Sequence, residues 1–475
     1  MAQDSEKGNY KSPEGSHKYE YAVTFVCFIV VFGIGTEFGF NSPLISVLTA
    51  PNTPINVTAS ELSTIAAAVV GGQMVTPVLT LCMDKVGRKP ILFGFAVSIV
   101  ISWTMVAIAN GVLVLTVGRL VGGFAMGVGL MISPIYLSEV TSAKLRGTLG
   151  LMIPIGASCG MLFTYMIIPY LKFYNSVYVL LSLGVAATIA LCFIPESPYF
   201  LAMKGRIEEA EEVLEKLRGK TDVAEELETV KEAVTKQREQ MNRDERDGIG
   251  RKVLKIIKEI ALVRANRRAF LVNVSFVMMI HGGGYMMVLA FAPQIVNAMK
   301  VEINEYMINI ILAVIQLVCS CVTSFVIDKF GRRALSITAG IVCSASTLII
   351  TIYFCLLENL EIDVSAYSGF ALFAMTIFVV AMTTGITSVQ FVIISETLAS
   401  EIKIAINLII AIGGGLVATV TVKGFILVTM IWKLGHALPF AVCFLILCVC
   451  VTTIHRLLPE TKGRTFVEIQ KAFNA

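Results

Sequence analysis

The sequence predicts an all-α transmembrane protein of about twelve spanning helices, arranged in two pseudo-symmetric six-helix bundles with a cytoplasmic helical insert between them. Three observations point there. Hydrophobic residues make up 56% of the 475 positions and charged residues 15%, with a mean hydropathy of +0.79, far from the soluble average. Mostly apolar runs of roughly 20 residues, the length needed to cross a bilayer, recur along the chain. Three short polar elements also occur twice, in the same order, at offsets of 244, 257 and 264 residues.

The chain opens on a polar tail, 1–20, of mixed charge, with no short apolar core and small-residue cleavage site of a secretory leader. The first apolar run, 21–47, is then expected to be the targeting signal. Runs at 62–82, 90–109, 112–137, 148–170 and 176–194 complete a first half over 21–198. Residues 199–267 form the one long polar segment. In it Ile207, Ala210, Val213, Leu214 and Leu217 fall at helical spacing, as do Val223, Leu227, Val230 and Val234, and then Val253, Ile256, Ile257 and Ile260. These read as short amphipathic helices, a solvated linker with no site of its own. Six further runs, at 269–297, 305–327, 334–356, 367–395, 404–431 and 437–457, build the second half over 268–458, and 459–475 form a polar tail.

Charge placement sets the orientation. Of 38 Lys and Arg, three lie in odd-numbered loops (Lys172, Lys300, Lys433) and three within the bounds of spans (Arg119, Lys423 and, at the inner end of the last, Arg456); the rest occupy the tails and even-numbered loops. Basic residues accumulate on the cytoplasmic side, so both termini are expected there, in a multi-pass protein of the cell membrane. The first loop has no Lys or Arg and holds the triplet Asn56-Val57-Thr58, an N-glycosylation candidate if that loop faces outward. The eleven Cys fall within or at the ends of apolar runs, without Cys-x-x-Cys or His at ligand spacing. No disulfide framework, metal or cofactor is expected. The expected partners are a small-molecule solute and the lipid bilayer, with no nucleic acid and a monomer as the functional unit.

The repeated elements are "DKVGRK" (84–89) and "DKFGRR" (328–333), "SEVTSAKLRG" (138–147) and "SETLASEIKI" (395–404), and "PESP" (195–198) and "PETKG" (459–463). Gly87 and Gly331 permit a tight reversal between antiparallel spans. Asp84, Arg88, Asp328 and Arg332 are expected to pair across neighbouring helix ends, with Glu139 and Arg146, Glu396 and Lys403, and Glu196 and Glu460 as further partners. Such a cluster is a latch on the cytoplasmic side. Duplicated halves are a transporter architecture, because two similar bundles can rock about a site near the midplane.

These motifs, with "GRLVGGFAMG" (118–127), "PIYLSE" (134–139), "LRGTLG" (145–150) and "PETKGRT" (459–465), resemble the sugar porter branch of the major facilitator superfamily along about residues 20 to 465. "GFNSPL" (39–44) and "VTVKGF" (420–425) look most like facilitated trehalose transporters of insects. The resemblance implies alternating access for a hexose or a trehalose-like disaccharide, and no enzyme chemistry.

The chain departs from the family where members bind sugar. The family's "QQLSGIN" stretch in the seventh span is "IHGGGYM" here, so paired amides become Ile280 and His281 and the Asn becomes Met286. The Trp position of the tenth span is Phe391, flanked by Ser388 and Gln390. The Asn-Trp pair of the eleventh is Gly414-Gly415, and a position often Gln in the fifth is Pro154. Each lost partner leaves a sugar hydroxyl unpaired, at about 1–3 kcal/mol. Asn41, His281, Gln316, Gln390, Phe391 and Lys423 remain as cavity candidates.

Ionisable groups inside spans default to functional hypotheses. Glu37 and Arg119 lie in spans of the same half, where opposite charge offsets burial. The resemblance implies a proton-carrying role for such an acid, and a purely structural ion pair is the other reading. Glycines 118, 122, 123 and 127 follow the small-x-x-x-small spacing of close helix contacts. Three functional readings follow: a facilitative sugar transporter, a proton-coupled symporter using Glu37, and a transport-inactive sensor or a porter of another polar solute.

Overall fold

The computed structural model describes residues 17–77, 82–142, 145, 149, 152–245, 262–398, 400–464 and 466–474. Among these, all regular structure is helical. That is what a bilayer requires of a chain whose backbone groups must be paired within each segment.

Ten helical stretches are long and apolar enough to cross a membrane among the described residues. The other two expected spans are shorter there. The second is Ala59–Gly72, tightening into a 3-10 turn at Gln73–Val75, and the fifth is Met152–Ile167. The first span runs Lys18–Gly39 and, past Phe40, Asn41–Thr49; the third is Arg88–Ala107, the fourth Val112–Val140 and the sixth Phe173–Cys192. The second half has Arg264–His281 with Tyr285–Ala298, then Glu305–Phe330, Arg332–Phe354, Ser368–Ala381 with Ser388–Thr397, Ser400–Ile426 and Ala437–Leu457. The seventh span breaks at Gly282–Gly284, and Gly284 takes φ +92°. One-turn π segments widen the ninth, tenth and eleventh spans at Cys355–Asn359, Met382–Thr387 and Leu427–Ile431. Such widenings are frequent where helices line functional space.

The repeated hinge has the same backbone in both halves. Gly87 (φ +107°) ends Met83–Val86 and starts the third span, and Gly331 (φ +82°) joins the eighth span to the ninth. L side chains rarely adopt those angles, which accounts for glycine at both.

The insert follows the predicted periodicity in Ile207–Arg218 and Ala224–Glu245. Ala210, Leu214, Val223, Leu227 and Val234 are buried in a small core with Phe200, Leu201 and Met203 from the short helix Pro198–Met203, while Leu217 joins the core of the membrane bundle. Val253, Ile256, Ile257 and Ile260 lie outside the described residues. The face carrying this insert is called the insert face below, and the opposite one the far face.

Candidate functional site

The two halves meet along the first, second and fifth spans on one side and the seventh, eighth and eleventh on the other. Toward the far face, Ser42 Oγ donates to Asn309 Oδ1 (3.0 Å) and Gln294 Nε2 to Ser46 Oγ (3.4 Å). Nearer the insert face, the hydroxyls of Ser158 and Ser320 join the fifth span to the eighth at 3.1 Å. A small cleft of about 10 Å³ lies between the halves, with Asn41 and Met286 in its lining.

Of the cavity candidates, Asn41 lines this cleft, 8% exposed, with Nδ2 donating to Ala66 O (3.4 Å) and Oδ1 accepting nothing from the described residues. Gln316 is buried with Nε2 unpartnered, Gln390 and Lys423 are half-buried, and none of the three lines the cleft. The side chain of Phe391 lies outside the described set. His281, also away from the cleft lining, packs against Gly414, where an added Cβ would sit 3.0 Å from His281 Cδ2. A Cβ on Gly415 would sit 2.6 Å from Met74 Cγ of the second span. The glycine pair of the eleventh span is therefore covered by two bulky side chains, and the space is filled rather than left open. Tyr285 and Thr383 share a hydroxyl contact of 3.2 Å between the seventh and tenth spans.

Glu37 and Arg119 are brought together, both with no exposed side-chain surface. Arg119 Nη1 donates to Glu37 Oε2 (2.7 Å) and Nη2 to the Glu37 carbonyl (2.9 Å), while the guanidinium lies 5.3 Å from the centre of the Phe40 ring. Gly122 makes the room, since its Cβ would lie 2.5 Å from Glu37 Oε2. One of the glycines read as packing therefore shapes the charged site.

At the insert face each half closes on an arginine. Arg88 donates through Nε and Nη2 to Glu139 Oε1 (3.2 and 3.1 Å), Nη2 lies 3.1 Å from Asp84 Oδ1, and the rings of Tyr199 and Phe200 cover the guanidinium at 5.7 and 5.5 Å. Glu139 also accepts from the Ser197 hydroxyl. In the second half, Arg332 Nη2 lies 3.5 Å from Glu396 Oε1.

Glu196 and Glu460 both cap helices. Glu196 Oε1 accepts the backbone N–H of Arg88, Lys89 and Ser197 (3.1, 3.1 and 2.8 Å), and Glu460 accepts those of Arg332 (3.0 Å), Arg333 (3.2 Å), Thr461 (3.0 Å) and Lys462 (3.1 Å). The first amides of a helix have no partner within it and carry partial positive charge, so a carboxylate is well placed there. Burial works to raise the Glu460 carboxyl, but these amides outweigh it and hold it below its ordinary value. Glu139 meets Arg88. Arg146 lies outside the described residues, as do the side chains of Asp328 and Lys403.

Two clusters escaped the sequence reading. Arg218, at the end of Ile207–Arg218, is 4% exposed: Nη1 donates to Val140 O at the end of the fourth span (3.0 Å) and lies 3.4 Å from Glu20 Oε2, while Nη2 meets Glu226 Oε1 at 2.6 Å. Glu20, fully buried at the start of the first span, also accepts the Ser142 N–H (2.6 Å) and faces His17 Nδ1 (2.9 Å). The signal was present, because Arg218 continues the buried stripe of Ala210, Leu214 and Leu217. On the far face, Glu358 accepts the His436 backbone N–H and contacts its Nδ1, both at 2.6 Å, with the imidazole stacked on Phe354. Among the described residues no group of His, Cys, Asp or Glu is arranged to hold a metal.

Comparison with known proteins gives a consistent picture. The family model described as "Sugar (and other) transporter" matches residues 21–473. The facilitated trehalose transporter Tret1 of Apis mellifera ligustica is 26% identical over 419 residues, covering 86% of this chain and 77% of that protein. Its Bombyx mori counterpart is 25% identical over 447 residues, covering 92% and 83%. Among solved structures, the xylose transporter XylE from E. coli in a partially occluded inward-open conformation superposes with a TM-score of 0.73 at 20% identity, covering 94% of this chain and 99% of that one. At that identity the likeness speaks for the fold, that of the major facilitator superfamily.

Proposed function

This chain belongs to the sugar transporter family, and from that premise we propose that it carries a sugar, a hexose or a trehalose-like disaccharide, across a membrane by alternating access without ion coupling. The observation that carries the reading is the pair of arginine–carboxylate clusters at the insert-face ends of both halves, with hydrogen bonds between the halves toward the far face. A rocking mechanism needs each half rigid at one end and the contacts between halves breakable. In this proposal Asp84, Arg88, Glu139, Arg146 and Glu196, with Asp328, Arg332, Glu396, Lys403 and Glu460, brace the insert-face ends. Ser42, Asn309, Ser46 and Gln294 part when the far side opens.

The halves 21–198 and 268–458 are the moving bodies and 199–267 the strap on their insert face. The distribution of Lys and Arg supports a cytoplasmic insert face in the cell membrane, with both termini there. Asn56, exposed in the first loop, is then open to glycosylation. A monomer is sufficient for the mechanism.

Absence of coupling is supported by the Glu37–Arg119 pair. A proton carrier must meet solvent during its cycle, and this carboxylate is sealed, charge-paired and backed by a second donor bond to its own carbonyl. Uptake of radiolabelled trehalose and glucose into liposomes holding the purified protein is the test. Equilibration without accumulation under an imposed pH gradient supports the reading. Accumulation that is lost in Glu37→Gln gives the symporter, and binding without any uptake gives the sensor.

A further inference from the structure

The far-face end of the second half is organised around the Glu358–His436 pair, to which the transport reading gives no role. Glu358 stands in the π segment Cys355–Asn359 that ends the ninth span, and His436 caps the last span, Ala437–Leu457. The carboxylate accepts the His436 N–H through Oε2 and meets Nδ1 through Oε1, both at 2.6 Å, and it also accepts the Ala437 N–H. Gly435, at φ +81°, leaves the space, since a Cβ there would lie 2.6 Å from Glu358 Oε2. The imidazole is stacked on Phe354 of the ninth span (4.9 Å) and lies beside Phe425 of the eleventh (5.8 Å). In the loops around it Lys433, Glu361 and Asp363 are exposed, and Lys300 at the end of the seventh span acts on Asp363. Histidine is the side chain whose charge ordinarily changes between pH 5 and 8. A second proton on this ring makes the Nδ1 contact charge-assisted and sets a cation against two aromatic rings.

The residues that hold the imidazole also hold the upper helix of the seventh span, Tyr285–Ala298. Tyr353, next to Phe354, donates its hydroxyl to Met299 O (2.7 Å) just past the end of that helix. Phe425 stacks on Phe291 (4.7 Å), the residue at which the helix departs from helical angles. Gln294 of the same helix reaches Ser46 of the first half. We propose that His436 is a pH sensor on the far face. When protonated it fixes Glu358, the end of the ninth span and the upper seventh helix in the arrangement in which Gln294 meets Ser46, and so slows opening of the far side. When neutral it relaxes that hold. The proton stays on the far face and is not carried across, so the sensor changes the rate of transport and not the final distribution of solute. This regulatory role rests on the transport reading above.

The experiment measures exchange of labelled glucose or trehalose by the full chain in liposomes, with the same pH inside and outside so that no gradient acts and orientation does not matter. The exchange rate of the parent is expected to fall about fivefold between about pH 8 and about pH 5.5. His436→Gln, which keeps a hydrogen-bonding group without the charge, should exchange at one rate across that range. His436→Arg, charged throughout, should be slow at every pH. Tyr353→Phe should blunt the fall, because the ninth span then loses its bond to Met299 O. A flat parent profile alongside measurable exchange overturns the sensor and leaves the transport reading standing. A fall that persists in His436→Gln places the titration elsewhere and overturns it too, and an unaltered profile in Tyr353→Phe overturns the coupling to the seventh span. If no sugar exchanges, the transport reading fails, and thermal unfolding of the detergent-purified protein decides the clasp by itself. The melting temperature of the parent should then exceed that of His436→Gln by a margin that widens as pH falls, and a constant margin overturns the proposal.

Discussion

Glu37 and Gly122 touch across the first and fourth spans so closely that a Cβ at 122 would lie 2.5 Å from the carboxylate oxygen that Arg119 holds. The missing methyl decides whether the ion pair forms. Gly122→Ala is expected to push Glu37 off Arg119 and leave two buried charges poorly paired. Breaking such a pair costs about 3–5 kcal/mol, whereas replacing both partners with apolar residues is often neutral. Thermal unfolding in detergent should show Gly122→Ala and Glu37→Ala well below the parent, with Glu37→Met/Arg119→Leu recovering most of the loss. Equal stability of Gly122→Ala and the parent would contradict the geometry.

The two arginine clusters are unequal, and the inequality is measurable. The Arg88 side chain is 2% exposed, whereas that of Arg332 is 15% exposed and its partner Glu396 26% exposed. Exposed pairs contribute little and buried ones resist loss of a partner. Arg88→Ala should therefore increase labelling of insert-face cysteines by membrane-impermeant thiol reagents several-fold, and Arg332→Ala by less. The bracing role fails if neither variant changes accessibility.

Glu460 supplies a pH dependence with a defined sign. Its carboxyl is held below the ordinary value of 4.5, so its contribution is fully present above that value and disappears as pH falls through the depressed one. Limited proteolysis of the C-terminal segment should be constant from neutral pH down to about 5 and accelerate only below about 4.5. In Glu460→Gln, cleavage should already be faster at neutral pH and this acid step smaller.

Arg218 ties the insert to the ends of the first and fourth spans. Arg218→Ala leaves Glu20 buried with one cationic partner fewer, and the Val140 carbonyl without this donor. Faster hydrogen exchange is expected in Ile207–Arg218 and in the first turns of the first span, with the far-face half of that span unchanged. Uniform exchange across the molecule would show instead that the strap is only a surface feature.

The membrane spans were legible because twenty apolar residues have few alternatives in water or lipid, and Glu37 and Arg119 stood out because charge is costly among them. The second span departs from its apolar run, since helix Ala59–Gly72 gives way to a 3-10 turn. Repetition exposed Arg88 and Arg332, but spacing does not say that Glu196 and Glu460 will each meet a row of backbone amides. Arg218 was hidden among the many charges of a polar insert, where the buried one is chosen by tertiary packing. Met74 carried no signal, being one methionine in an apolar run, until the eleventh span was placed beside it.

That last contact constrains how this lineage can change. Met74 Cγ stands 2.6 Å from where a Cβ at 415 would be, so a large residue cannot arise at 415 while Met74 keeps its rotamer. Relatives with a bulky side chain at the position of Gly415 should have a smaller one at the position of Met74, and the two should be inherited as a unit. Gly415→Trp alone is then a dead end, while Met74→Ala/Gly415→Trp is a passable intermediate, because volume at this crossing is conserved even where identity is not. A survey of related sequences in which the two positions vary independently would sever that link.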